Sequence, residues 1–173
     1  MIATPRLLLR PWKPADLEPF CTLNADAEVM RHFPSTLTPD QTGNSLRRAE
    51  AHFDQYGWGL FAVEYESLFI GYIGLIHVPF EAHFTPAVEI GWRLAKQYWN
   101  LGLATEGALA CLDFGLGQLR LPEIVACTTA GNLASRRVME KIGMCHDESG
   151  DFEHPRLAPG HPLRRHFLYR KSV

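Results

Sequence analysis

Residues 99–106 read Trp99-Asn100-Leu101-Gly102-Leu103-Ala104-Thr105-Glu106. Before them, residues 87–94 (AVEIGWRL) carry the β-branched and aromatic content of a strand. After them, a helix is predicted from Leu103 to Leu119. Gly102 and Ala104 alternate with larger residues where strand gives way to helix. Small residues there let a ligand come close to the backbone. The free N–H groups of the first helical turn, together with the helix dipole, favour an anion at that point, and a pyrophosphate is a natural guest. Taken alone, the same residues also suit an ordinary tight turn.

Towards the N-terminus, residues 58–65 (WGLFAVEY) and 68–78 (LFIGYIGLIHV) are strand-like, and only Glu66-Ser67 separates them, which predicts a hairpin. A loop at 79–86 leads into the strand at 87–94, where Gly91 suggests a bulge or a close ligand approach. Thr38-Pro39-Asp40-Gln41 is a capping box with proline at the first helical position. Leu46, Ala49, Phe53 and Tyr56 follow it at helical spacing, and Gly57 and Gly59 bracket the end. Residues 6–11 predict a first strand, Pro14-Ala15-Asp16 opens a helix carrying Leu17 and Phe20, and a second helical piece covers Glu28 to His32 before Pro34. Towards the C-terminus, 123–129 is a strand and Asn132–Ile142 a helix with Ala134, Val138, Met139 and Ile142 on its apolar face. Short strands are predicted near 143–148 and 166–171, with a proline-rich loop at 150–162 between them. The layout is α/β (α+β) with a mixed sheet, in one domain over 1–173.

The net charge of −2 argues against a polyanion-binding surface, so nucleic acid is not an expected partner. The apolar run Leu7–Leu9 is far too short for a signal peptide or a membrane span. The cytoplasm is therefore the default compartment, with no membrane partner. Cys21, Cys111, Cys127 and Cys145 form no C-x-x-C pair and are read as separate buried thiols. His146, His154, His161 and His166 fit no compact ligand spacing, so no metal is expected. The oligomeric state is open, a homodimer included.

The run Trp99–Glu106 resembles the pyrophosphate motif of the GNAT acetyltransferases, [Q/R]-x-x-G-x-[G/A], with Gly102 and Ala104 in the small positions. Asn132 to Met144 resembles that family's later helix and its exit. Thr4-Pro5-Arg6-Leu7-Leu8-Leu9-Arg10 and Val88-Glu89-Ile90-Gly91-Trp92 are similar to the branch that acetylates ribosomal-protein N-termini (alanine or serine). The resemblance implies a mostly antiparallel central sheet flanked by helices. It also implies an acetyl-CoA-dependent N-acetyltransferase acting on a primary amine, either a protein N-terminal α-amine or a small molecule. By position, Trp92, Arg93 and Leu94 would offer backbone groups to the pantetheine arm. Asn100, Leu101, Gly102, Leu103, Ala104 and Thr105 would cradle the pyrophosphate, and Asn132 would contact CoA or simply cap its helix. Trp99 replaces the usual Gln or Arg and Asn100-Leu101 the usual small and basic pair, so the loop's own residues bring no cation and phosphate binding rests on backbone N–H groups.

Direct attack of an amine on a thioester needs a neutral amine, donors for the oxyanion and a proton for the thiolate. At pH 7, deprotonation costs roughly 1 kcal/mol for an α-amine and roughly 4.6 kcal/mol for a lysine. Glu89 is the candidate base and Ser135 the candidate proton donor. Met139 occupies the place where many relatives carry a tyrosine. His77 is a weaker candidate than a satisfied strand-end histidine. Phe80 to Phe84 and Asp151 to Arg156 are predicted to wall the acceptor site, with Trp12, Phe33 and Trp58 as further aromatics. One competing reading is a nucleotide-dependent transferase, although the chain lacks a P-loop lysine. The other is a CoA-binding sensor or interaction module without turnover.

Overall fold

The computed structural model describes residues 1–173. Its strands are β1 (Ile2–Ala3), β2 (Leu7–Arg10), β3 (Leu60–Tyr65), β4 (Leu68–His77), β5 (Val88–Leu94), β6 (Glu123–Thr129), β7 (Cys145–His146), β8 (Phe152–Glu153) and β9 (Arg165–Ser172). They form one sheet in the order β1-β2-β3-β4-β5-β6-β9-β7, with β8 also on β9. The helices are α1 (Leu17–Ala25), α2 (Pro39–Tyr56), α3 (Leu103–Asp113) and α4 (Leu133–Lys141). No helix is long and apolar enough to cross a membrane.

Every ladder is antiparallel except β5–β6, which is parallel and holds a single registered pair, Glu89 opposite Val125. A parallel neighbour needs a crossover, and α3 supplies it. Beyond Glu89, β5 and β6 do not pair with each other, so the sheet is split at its middle. Val88, Ile90 and Leu94 of β5 are buried in the main core. On this side α3 lies so close to the sheet that a Cβ on Gly107 would sit 2.5 Å from Ile73 Cδ1. Strand alternation puts Glu89, Gly91 and Arg93 on the other side, where Arg93 reaches Asn24 of α1.

Local chemistry explains the elements. The capping box forms as the spacing demands: Thr38 N–H donates to Gln41 Oε1 at 2.8 Å, and Gln41 N–H donates to Thr38 Oγ1 at 3.3 Å. Glu66 and Ser67 take φ of 49° and 65°, as a two-residue hairpin between right-twisted strands requires. The predicted helix at Glu28–His32 is instead a set of turns. Asp26 Oδ1 accepts the N–H groups of Glu28 and Val29, and Phe33 N–H bonds to Met30, so side-chain and three-residue bonds displace a helical ladder. The α3 helix runs on into a π-turn at Phe114–Gln118. Ala134 is exposed, whereas Met139 and Ile142 are buried as expected. The loop at 150–162 contributes the short β8.

Of the two readings of Gly91, the bulge is absent: the β4–β5 register runs without interruption, and the irregularity falls between Val63 and Glu64. Gly74 is a strand glycine with no room: a Cβ there would lie 2.2 Å from the Gly59 carbonyl oxygen and 2.7 Å from Leu60 Cα. Both are backbone atoms and cannot turn aside. Gly74→Ala should therefore cost about 3 kcal/mol and lower Tm by about 6–12 °C, read by thermal denaturation. An unchanged Tm would show that the sheet can open at this point without cost.

Candidate active site

Glu89 stands at the apex of the split. Its Oε1 accepts the Cys127 thiol at 2.8 Å and the Cys127 N–H at 3.3 Å. Burial pushes the carboxyl above its ordinary range, and these two bonds only partly oppose the rise. Burial, with Glu89 beside it, also pushes the Cys127 thiol well up, so it stays a thiol rather than a thiolate. No disulfide forms; Cys111 is buried, Cys21 and Cys127 are partly so, and Cys145 is exposed, contrary to the expectation of four buried thiols.

The 100–105 loop has the backbone of a ligand cradle. Asn100 and Gly102 both adopt left-handed conformations, φ 60° and 79°, and Gly102 caps α3 without a side chain. The first N–H groups of α3 therefore face outward with no capping oxygen. Trp99 acts through its indole N–H, which donates to the Leu94 carbonyl at 2.8 Å. That carbonyl is thus already engaged within the fold, and the N–H is the strand-edge group that Leu94 has left to offer. Trp92 packs its ring against the main core.

A cation does reach the loop, from far away in sequence. Arg6 Nη1 donates to the Leu101 carbonyl at 2.9 Å, and Arg6 Nη2 would lie 3.5 Å from a Cβ on Gly102. Arg6 is held by Glu106, which takes its Nε–H at 2.7 Å and its N–H at 2.9 Å, while Thr4 Oγ1 donates to the same carboxylate at 2.6 Å. Burial pushes the Glu106 carboxyl up, but the bonds from Thr4 and Arg6 outweigh it and hold it below the usual range. The loop itself carries no cationic side chain, and this pairing across 100 residues, for which no local sequence signal exists, brings one to it.

Asn132 caps α4, accepting the Ser135 N–H at 3.3 Å, and its amide donates to Thr128 at 2.9 Å. Both ends of the side chain are used within the fold. The Ser135 side chain is partly exposed one turn along, and Met139 is buried in the core.

The two predicted acceptor-wall segments meet. Phe80 stacks on Phe152 at 6.0 Å and contacts His154 at 4.6 Å, and Phe84 lies 5.0 Å from Phe152. Arg156 donates to the Pro79 carbonyl. A cavity of about 620 Å³ in this region is lined only by residues 78–86 and does not include the split. Of the three further aromatics, Trp12 packs on Phe20 and donates to the Leu60 carbonyl, and Trp58 is a core residue. Phe33 alone is exposed towards the site, 4.0 Å from the Arg93 guanidinium carbon. Next to it, His32 Nδ1 lies 3.5 Å from Thr129 Oγ1 of β6, so the turns at 27–33 roof the split from β5 to β6. His77 is satisfied by His52 at 3.1 Å. His146 is paired with Asp151 at 2.9 Å, and no cluster of three or more His, Cys, Asp or Glu is arranged to hold a metal ion.

Residues 6–145 match the model of the acetyltransferase (GNAT) domain. YkkB of Bacillus subtilis is 31% identical over 151 residues, covering 86% of this chain and 87% of that protein. The uncharacterized N-acetyltransferase YnaD of the same organism is 29% identical, covering 83% and 81%. Among solved structures, a GNAT-family acetyltransferase from Bacillus anthracis superposes with a TM-score of 0.80 at 30% identity, over 99% of this chain and 97% of that one. The ribosomal L7/L12 alpha-N-protein acetyltransferase RimL, in complex with coenzyme A, superposes at 0.77 over 98% and 96% but at 14% identity, a likeness of fold alone.

Proposed function

Because the chain belongs to the GNAT acetyltransferases, and is thus an acetyl-CoA-dependent N-acetyltransferase, we propose that Glu89 and the 100–105 loop are the two halves of its active site. The observation that carries this is the single-pair β5–β6 ladder. It leaves strand-edge backbone unpaired between a high-pKa carboxyl at the apex and an uncapped helix start with a nearby arginine. Bound acetyl-CoA supplies the activated acetyl group. The α3 N–H groups and the Gly102 backbone hold its diphosphate, and Arg6 adds positive charge. Trp92 and the Leu94 N–H present backbone groups to the pantetheine amides, whereas the Arg93 backbone is paired with β4. Glu89 takes the proton from the attacking amine, and Ser135 returns one to the departing thiolate.

The acceptor is a primary amine. The similarity of Thr4–Arg10 and Val88–Trp92 to the ribosomal branch supports an α-amine, which asks least of a single carboxylate base. Thiol release from acetyl-CoA over a panel of amines tests the reading. A protein that binds CoA, as seen by calorimetry, yet releases thiol with none of them would be a sensor instead.

The Arg6 latch gives a second test. Arg6→Ala removes a charge-assisted clip from the loop, so KM for acetyl-CoA should rise about tenfold while kcat changes less than twofold. Equal losses in kcat and KM would place Arg6 elsewhere in the mechanism.

A further inference from the structure

We infer that Arg93 forms an anion subsite on the acceptor side of the split, and that the acceptor is an amine that also carries a carboxylate. This inference rests on the placement of Glu89 proposed above. Arg93 is partly buried between the rings of Phe33 and Tyr72, with its guanidinium carbon 4.0 and 5.4 Å from their centroids. Its protein hydrogen bond is Nη1 to Asn24 Oδ1 at 2.5 Å, a neutral partner, and Asn24 is itself fixed by Thr42 at 3.3 Å. Nε is buried with no partner at all. Arg93 joins none of the chain's ion pairs.

Burying a cation without a counter-ion is costly, and folded proteins ordinarily pair such groups. The carboxylates of the turn that precedes Phe33 are committed elsewhere: Glu28 pairs with Lys96, and Asp26 caps the turn. The diphosphate cradle is at the start of α3, the helix that packs on the opposite face of β5, so CoA phosphate is not the matching charge. Between Arg93 and Glu89 on the same face lies Gly91, where an added Cβ would meet no heavy atom within 4 Å. The strand face is thus open at Gly91, between the proposed base Glu89 and a guanidinium without a counter-ion. The Cα atoms at its two ends are about 13 Å apart at strand spacing, with Glu89 held towards Cys127 of β6 and Arg93 towards Asn24 of α1. A short peptide or an ω-amino acid fits this distance, with its amine at Glu89 and its carboxylate at the Arg93 guanidinium.

The test compares free α- and ω-amino acids and dipeptides, each against its own carboxamide, by thiol release from acetyl-CoA. The best carboxylate acceptor should exceed its amide about tenfold or more in kcat/KM. Arg93→Gln should bring the acid down to its amide, and Arg93→Lys should keep part of the preference. KM for acetyl-CoA should stay unchanged in both variants, and thermal unfolding reports whether each is folded. Amides used as well as acids, or a preference that survives in folded Arg93→Gln, overturn the inference and leave the acetyltransferase assignment standing. If no pair turns over, calorimetry of the same pairs on the CoA-bound protein decides: binding of an acid but not its amide supports the subsite, and binding of neither overturns it. Failure of CoA itself to bind would instead sink the proposed active site.

Discussion

Glu89→Gln is expected to lower kcat roughly 100- to 1,000-fold with little change in KM for acetyl-CoA. The amide is nearly isosteric and can still accept from Cys127, but it cannot take a proton. The pH profile carries the sharper signature. Burial raises the Glu89 pKa, so the carboxyl of the folded enzyme is protonated, and useless as a base, at pH values where an exposed glutamate is already charged. Wild-type activity should therefore rise with pH through a limb above the ordinary glutamate range, and the residual activity of the variant should lack that limb. Folding gives an independent control. A raised carboxyl pKa means that the native state binds the proton more tightly, so stability falls as pH rises from the unfolded to the folded value. At neutral pH the native protein bears that cost, and Glu89→Gln, which bears none, should be at least as stable. Ser135→Ala tests the proton return alongside it: full turnover in both variants would falsify the assigned roles.

Arg10→Ala should be the most damaging substitution for stability, about 3–5 kcal/mol, or roughly 6–20 °C in Tm. Arg10 and Asp16 are both buried and meet in a two-pronged pair at 2.7 and 2.9 Å, with Glu64 on Arg10 Nε at 2.8 Å. Truncating the arginine leaves a buried carboxylate with the Lys13 N–H as its remaining donor. Burial pushes Asp16 up, but the bonds from Arg10 and Lys13 outweigh it and hold its pKa below the usual aspartate value. A depressed carboxyl contributes stability above its unfolded pKa and loses it as pH falls through the folded one. Wild-type stability should thus decline below about pH 4, and the variant, already lacking this contribution, should show a shallower acid dependence. Replacing both partners by apolar residues should recover much of the loss, because two desolvated charges leave together. A single variant as stable as wild type would mean that water reaches the pair.

The sequence by itself determined the local structure. Thr38 to Gln41 dictated a helix start, Glu66-Ser67 a hairpin, and Gly102 followed by Ala104 a tight turn from strand into helix. Each depends on backbone chemistry within four residues, which is fully written in the chain. The strand that carries Glu89 was also legible, from the β-branched and aromatic content of residues 87–94. The tertiary structure decided what depends on residues far apart. It brought Arg6 to a loop 95 residues away, set Cys127 against Glu89, used the indole of Trp99 to close off the Leu94 carbonyl, and turned residues 27–33 into a roof rather than a helix. It also left Arg93 without a counter-ion beside open space over Gly91. Periodicity shows which face a side chain takes, but only the packed chain shows whether a charge on that face is matched, because the matching groups lie on other elements.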